Sequence, residues 1–135
     1  MQPTMRDDTL KPGWSNADAQ ALYAMDNWSD GFYSVNEQGH VAVCPTSDPA
    51  LRIDIMDVIR AARAEGVSLP LLIRFQDIIS ARVHRLNLKF QNTIQECGYA
   101  GTYRSVYPVK VNQLHEVVTE ILDAGQAFNI GLECG

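Results

Sequence analysis

The chain has 135 residues, 46% of them hydrophobic and 20% charged, with 11 basic against 16 acidic side chains and a formal charge of −5. That length supplies one sizeable core, and an acidic chain without a basic stripe argues against a nucleic-acid partner. No run reaches the roughly 18–20 apolar residues of a membrane helix, so no membrane partner is expected. Residues 1–14 carry no apolar stretch of a secretory signal. Cys44, Cys97 and Cys134 are odd in number and lack metal spacing, which suits a reduced, cytoplasmic setting.

Residues 1–13, polar and with two prolines, predict a loose N-terminal arm. Ser15 or Asn16 then offers an N-cap to a short helix through Ala17, Ala21, Leu22 and Met25. Two strand-like runs, 31–35 and 40–43, are joined by Asn36-Glu37-Gln38-Gly39, a hairpin signal. Prolines 45 and 49 break the pattern before a helix expected from about Ala50 to Glu65, with Ile55, Val58, Ile59 and Ala62 on one face and Gly66 as its stop.

From there strand and helix alternate. Residues 69–75 (LPLLIRF) form a nearly continuous apolar run, the mark of a strand buried on both faces of a parallel sheet. A long helix follows over 77–96, with a stripe of Ile79, Val83, Leu86, Phe90, Ile94 and Cys97. Residues 105–111 read as a second strand, and 114–125 as a helix. Residues 128–132 read as a third strand. Strand–helix–strand–helix–strand implies a parallel α/β sheet. A (β/α)₈ barrel takes about 250 residues, so a chain of this length supplies only its first part.

Lys110 is out of place in this pattern. It stands between Val109 and Val111 near the C-terminal end of an apolar strand, where an unpaired ammonium loses hydration. In barrels, catalytic groups come from those strand ends, and a desolvated lysine shifts towards the neutral amine that attacks carbonyls. Spacing alone favours a strand-end lysine that reaches water or pairs with a carboxylate such as Glu133.

The text around Lys110, Val106-Tyr107-Pro108-Val109-Lys110-Val111-Asn112-Gln113, resembles the VYPIKVNQ segment of biosynthetic arginine decarboxylases, which are alanine-racemase-like (fold-type III) pyridoxal-phosphate enzymes. Residues 69–75 with Asp77-Ile78 are similar to the same family's LPLLIRF segment. Residues 31–41 resemble its hairpin GYFxVNxxGxV, and Phe128–Glu133 its YNFGLE. The likeness runs in order from about Trp14 to Gly135. Trp28-Ser29-Asp30, the order Phe32-Tyr33 and Cys134 depart from the usual pattern.

The resemblance implies a helix and β-hairpin of an adjoining β-domain over 14–49, and the opening part of a pyridoxal-phosphate-binding (β/α)₈ barrel over 50–135. It implies decarboxylation of L-arginine to agmatine and carbon dioxide, leading towards putrescine and spermidine, in a cytoplasmic homo-oligomer (dimer or tetramer). Lys110 takes the place of the lysine that carries pyridoxal 5′-phosphate as a Schiff base, and so of the catalytic residue; Glu133 takes that of an acidic residue close to the cofactor. Magnesium is also implied, without ligands assignable here. The rival expectations are a non-catalytic pyridoxal-phosphate-binding barrel and a ligand-free structural or interaction fragment. His40, His84 and His115 read as surface histidines, and Arg74 as a salt-bridge partner of Asp77.

Overall fold

The structure, a computed structural model, describes residues 13–46, 48 and 50–135. The expected N-terminal arm, Gly13 apart, lies outside the described residues. The architecture is mixed α/β in two compact units, one drawn from residues 1–44 and 48–69 and the other from 45–47 and 70–135.

In the first unit Ser15 caps α1 (Asn16–Leu22) in both directions. Its hydroxyl accepts from the Asp18 N–H at 3.2 Å, and its own N–H donates to the Asp18 carboxylate at 2.8 Å. The Ser15 hydroxyl, which also donates to the Asp18 carboxylate at 2.6 Å, and then the Ser15 N–H hold the Asp18 carboxyl below its ordinary pKa. After the short α2 (Met25–Trp28), strands β1 (Tyr33–Val35) and β2 (Val41–Val43) pair as the expected antiparallel hairpin, with Tyr33 opposite Val43 and Val35 opposite Val41. The link closes as an Asx turn: Asn36 Oδ1 accepts from the N–H groups of Gln38 (3.1 Å) and His40 (2.9 Å). Met25, Phe32, Ala42, Val43 and Cys44, none more than 4% exposed, form the core of this unit.

A third strand, β3 (Ile53–Asp54), extends the sheet antiparallel to β2. Helix α3 (Ile55–Ala64) therefore starts later than the expected Ala50, because residues 53–54 belong to the sheet and Asp54 becomes the N-cap. Helix α3 packs on β2 and β3. Glycine ends α3 as the sequence implies. Gly66 at φ +82° donates to Arg63 O while Val67 donates to Ala62 O, a Schellman closure that a β-carbon would strain.

The second unit contains α4 (Gln76–Glu96), β4 (Val106–Pro108), α5 (His115–Gly125) and β5 (Gly131–Glu133). Helix α4 ends at Gly98 (φ +61°) by the same closure as α3. Strands β4 and β5 pair in parallel, Val106 with Gly131, Tyr107 with Leu132 and Pro108 with Glu133. Val117 and Ile121 on the inner face of α5 are buried where α5 packs on α4, and the Ser80 hydroxyl donates to the Glu120 carboxylate between the two helices. Asn87, 2% exposed, is the one buried residue of α4. Its amide donates to Val83 O (2.8 Å) and accepts from Ser105 Oγ (2.8 Å). The Ser105 carbonyl in turn accepts the Gly131 N–H (3.0 Å), so one buried polar chain links α4 to the entry of both strands. A β-carbon at Gly125 would lie 2.7 Å from Ile130 Cβ, so only glycine lets α5 return this closely to β5.

Three expectations need correction. Residues 69–75 form no strand. They run without regular structure, Leu72 is 76% exposed, and no strand pairs with them among the described residues. An apolar run becomes a strand only where a neighbour takes its backbone hydrogen bonds. The other two strands are shorter than expected: residues 109–111 and 126–128 are 3-10 turns, and Asn129 reverses the chain at φ +56°. The described residues thus form two small sheets and close no barrel. Finally, Leu86, Phe90 and Cys97 of the α4 stripe are exposed, because a two-stranded sheet covers only part of a helix that long. An apolar hollow of about 330 Å³ remains there, lined among others by Ile79, Val83, Leu86, Val106 and Ile130.

Asp54 ties the first unit together. Its carboxylate accepts from His40 Nδ1 (2.7 Å), Asn36 Nδ2 (2.9 Å) and the Met56 N–H (2.8 Å), joining hairpin turn, third strand and helix cap. Chiefly through the His40 contact, its carboxyl is held below the ordinary 3.8. A depressed acid pKa stabilises the fold fully above the unfolded value and ceases to do so as pH falls through the folded one. Asp54→Ala should therefore melt lower than the parent at pH 7, and the gap should close by about pH 2. Circular dichroism melts across that range check this. A gap that stays constant with pH contradicts the assignment.

Candidate functional site

A parallel pair of strands ends on one side, and the two residues singled out by sequence meet at that end. Glu133 is the last residue of β5, in register with Pro108 at the end of β4. The chain then turns through 109–111, and Lys110 in the middle of that turn brings its Nζ to 4.0 Å from Glu133 Oε2. At that separation the two groups form an ion pair without a direct hydrogen bond. The side chains are 67% and 43% exposed.

This exposure differs from the desolvated lysine expected inside a strand. Lys110 lies beyond the last ladder position, in the turn, so its ammonium keeps its water. The strand expected over 105–111 therefore ends at Pro108. Pairing with Glu133, the alternative left open by spacing, is what the structure contains.

The turn that carries Lys110 is held at both ends. Tyr107, in β4, donates its hydroxyl to the Asn112 carbonyl (3.2 Å), and Asn112 Oδ1 accepts the Leu114 N–H (3.1 Å) at the start of α5. Glu133 Oε1 accepts the Gly135 N–H at 2.5 Å, which leaves Oε2 for the lysine. The strand end thus presents one solvent-open primary amine beside one carboxylate. For the magnesium implied by the resemblance, no group of three or more His, Cys, Asp or Glu side chains among the described residues is arranged to hold a metal ion.

Other polar residues fall elsewhere. His40, read as an isolated surface histidine, pairs with Asp54, a partner 14 residues away that local spacing does not reveal. His84 Nδ1–H donates to Ser80 O (2.8 Å), and the ring meets Phe128 edge to face at 5.4 Å. Arg74 is exposed and forms no ion pair with Asp77. All three cysteines are free thiols. No helix among the described residues is long and apolar enough to cross a membrane.

No protein-family model matches the chain. Individual proteins do. It is 40% identical over 122 residues to the biosynthetic arginine decarboxylase of Prochlorococcus marinus (strain MIT 9313), covering 90% of this chain and 19% of that protein. The biosynthetic arginine decarboxylase of Gloeobacter violaceus gives 40% over 122 residues with the same coverage. That of a Nostoc species gives 36% over 133 residues, 98% of this chain and 20% of the relative. The chain is a homologue of the biosynthetic arginine decarboxylases. It spans about a fifth of the length of these relatives.

An exposed ion pair at 4.0 Å is worth about 0–1 kcal/mol, so Lys110 and Glu133 are not there to hold the fold. Glu133→Gln should change urea-unfolding stability by less than about 0.5 kcal/mol. A loss of several times that would show that the pair is buried and structural.

Proposed function

We propose that this chain forms the opening part of a (β/α)₈ barrel in a pyridoxal-phosphate-dependent arginine decarboxylase, with Lys110 as the cofactor's covalent anchor. The observation that carries this reading is the approach of Lys110 Nζ to Glu133 Oε2 at the shared C-terminal end of a parallel strand pair. The printed names of the homologues support the reaction and the substrate, L-arginine.

When bound, pyridoxal phosphate supplies an electron sink for the pair left on the substrate's α-carbon as carbon dioxide departs. The chain's own contribution is narrower. Lys110 Nζ, once deprotonated, would hold the cofactor covalently, and when free the same nitrogen would be placed to move a proton at the substrate's α-carbon. Glu133 balances positive charge at that nitrogen. Two unit charges 4 Å apart attract by about 1 kcal/mol in water and about 4 kcal/mol at an effective dielectric of 20. The pair therefore gains strength when further protein covers it. The described residues offer no cradle for the phosphate, and Gly98-Tyr99-Ala100-Gly101 only ends a helix and turns the chain. Agmatine as product, supply of polyamine synthesis, an oligomeric enzyme, magnesium and a cytoplasmic setting belong to the same proposal.

In a full-length enzyme containing this chain, Lys110→Ala should lower arginine-dependent carbon dioxide release by several orders of magnitude and abolish cofactor absorbance that borohydride fixes to the protein. Lys110→Arg should not restore it, because a guanidinium stays protonated. Near-normal turnover by either variant contradicts the assignment. The same assay with ornithine, lysine and diaminopimelate decides the substrate. The isolated 135-residue chain should yield no agmatine.

A further inference from the structure

We infer that Tyr107 and Asn112 are positioning residues that fix where the Lys110 amine stands. The inference deepens the reading of Lys110 above. It rests on a comparison of magnitudes. The Lys110–Glu133 pair, exposed and 4.0 Å apart, is weak and cannot by itself immobilise a side chain as long as lysine. Removing lysine's rotamer freedom costs more than such a pair returns. The backbone beneath the amine must therefore be held by something else.

Two contacts do this. The Tyr107 hydroxyl spans the turn from the strand side and donates to the Asn112 carbonyl at 3.2 Å, enclosing residues 108–111 in a short loop. Tyr107 is itself fixed by its place in the ladder opposite Leu132. From the helix side, Asn112 Oδ1 accepts the N–H of Leu114, the N-cap of α5, at 3.1 Å. Asn112 is extended, at φ −152° and ψ 112°, so its carbonyl and its side chain serve different neighbours. Strand, turn and helix are joined through this one asparagine, and Lys110 lies at the middle of the joined segment. Without the phenol, the 3-10 turn keeps only its own backbone, and the amine samples positions away from Glu133.

The chain has three lysines, Lys11, Lys89 and Lys110, which provide internal controls. The full 135-residue chain is exposed to free pyridoxal 5′-phosphate, reduced with borohydride, and the labelled peptides are quantified by mass spectrometry. Tyr107→Phe should lower the Lys110-to-Lys89 labelling ratio about fivefold, which corresponds to one hydrogen bond of about 1 kcal/mol. Asn112→Ala should do the same, and Asn112→Asp, which keeps the acceptor for Leu114, should restore the ratio. A cofactor-free arm follows the Lys110 Cε carbon by NMR through the acid titration of Glu133. The shift step seen in the parent should shrink in Tyr107→Phe and vanish in Glu133→Gln. Circular dichroism separates loss of positioning from loss of fold. A folded Tyr107→Phe chain with an unchanged NMR step overturns the inference. If parent Lys110 labels no faster than Lys89, the anchor reading fails, while the NMR arm, run also on Asn112→Ala with the same expected shrinkage, still decides the role of Tyr107 and Asn112.

Discussion

Parallel pairing of β4 and β5 is the constraint on which the second unit depends. Two antiparallel strands can be joined by a tight turn, whereas two parallel ones need a crossover of a dozen or more residues. Here that crossover carries α5, which holds its position by burying Val117 and Ile121 where it packs on α4. Gly125 then lets the helix end close against Ile130, and Asn129 turns the chain into β5. The consequence is chemical. In a parallel pair both C-terminal ends face one way, so the residue that closes β5 and the turn that follows β4 share a small region. Antiparallel pairing would have carried Glu133 to the far end of the sheet, and the carboxylate would not reach the amine.

The buried chain Asn87–Ser105–Gly131 enforces the register. A fully buried amide left unpaired costs about 1–3 kcal/mol, so slipping β4 by one residue exacts that cost and also turns its side chains to the opposite face. A polar residue at the only buried position of α4 thus gives specificity of alignment where an aliphatic one would give only area. The surfaces left open point the same way. Leu72, Leu86 and Val106 remain exposed, and among the described residues no further strand pairs with either edge of the β4–β5 sheet. These are faces on which more protein can pack, in keeping with a chain that spans a fifth of its relatives.

Legibility in the sequence followed the range of the interactions. The Ser15–Asp18 capping box, the Asn36–Gly39 turn and the glycine stops of α3 and α4 are settled within a few residues, and local pattern reveals them. Helix α4 is long and periodic enough to be read to within a residue of its start. The 69–75 run departs from the expected strand because composition makes it apolar, while strand formation depends on a partner elsewhere. Likewise, the stripe on α4 gives the direction of burial but not the extent of the sheet that buries it. His40 with Asp54 and Asn87 with Ser105 join residues 14 and 18 apart, and no spacing rule brings such pairs together before the fold exists. Lys110 is visible as a charge out of place in an apolar run, and Glu133 through the resemblance and as a nearby carboxylate. Their juxtaposition follows only once the strands are taken as parallel.

That parallel register can be measured directly. In solution NMR of the uniformly labelled chain, the account predicts a Gly131 amide strongly protected from exchange and scalar-coupled through its hydrogen bond to the Ser105 carbonyl, with interstrand contacts aligning Val106 with Gly131 and Pro108 with Glu133. An antiparallel contact pattern would contradict it. So would a Gly131 amide that exchanges freely while the amides of α4 and α5 stay protected.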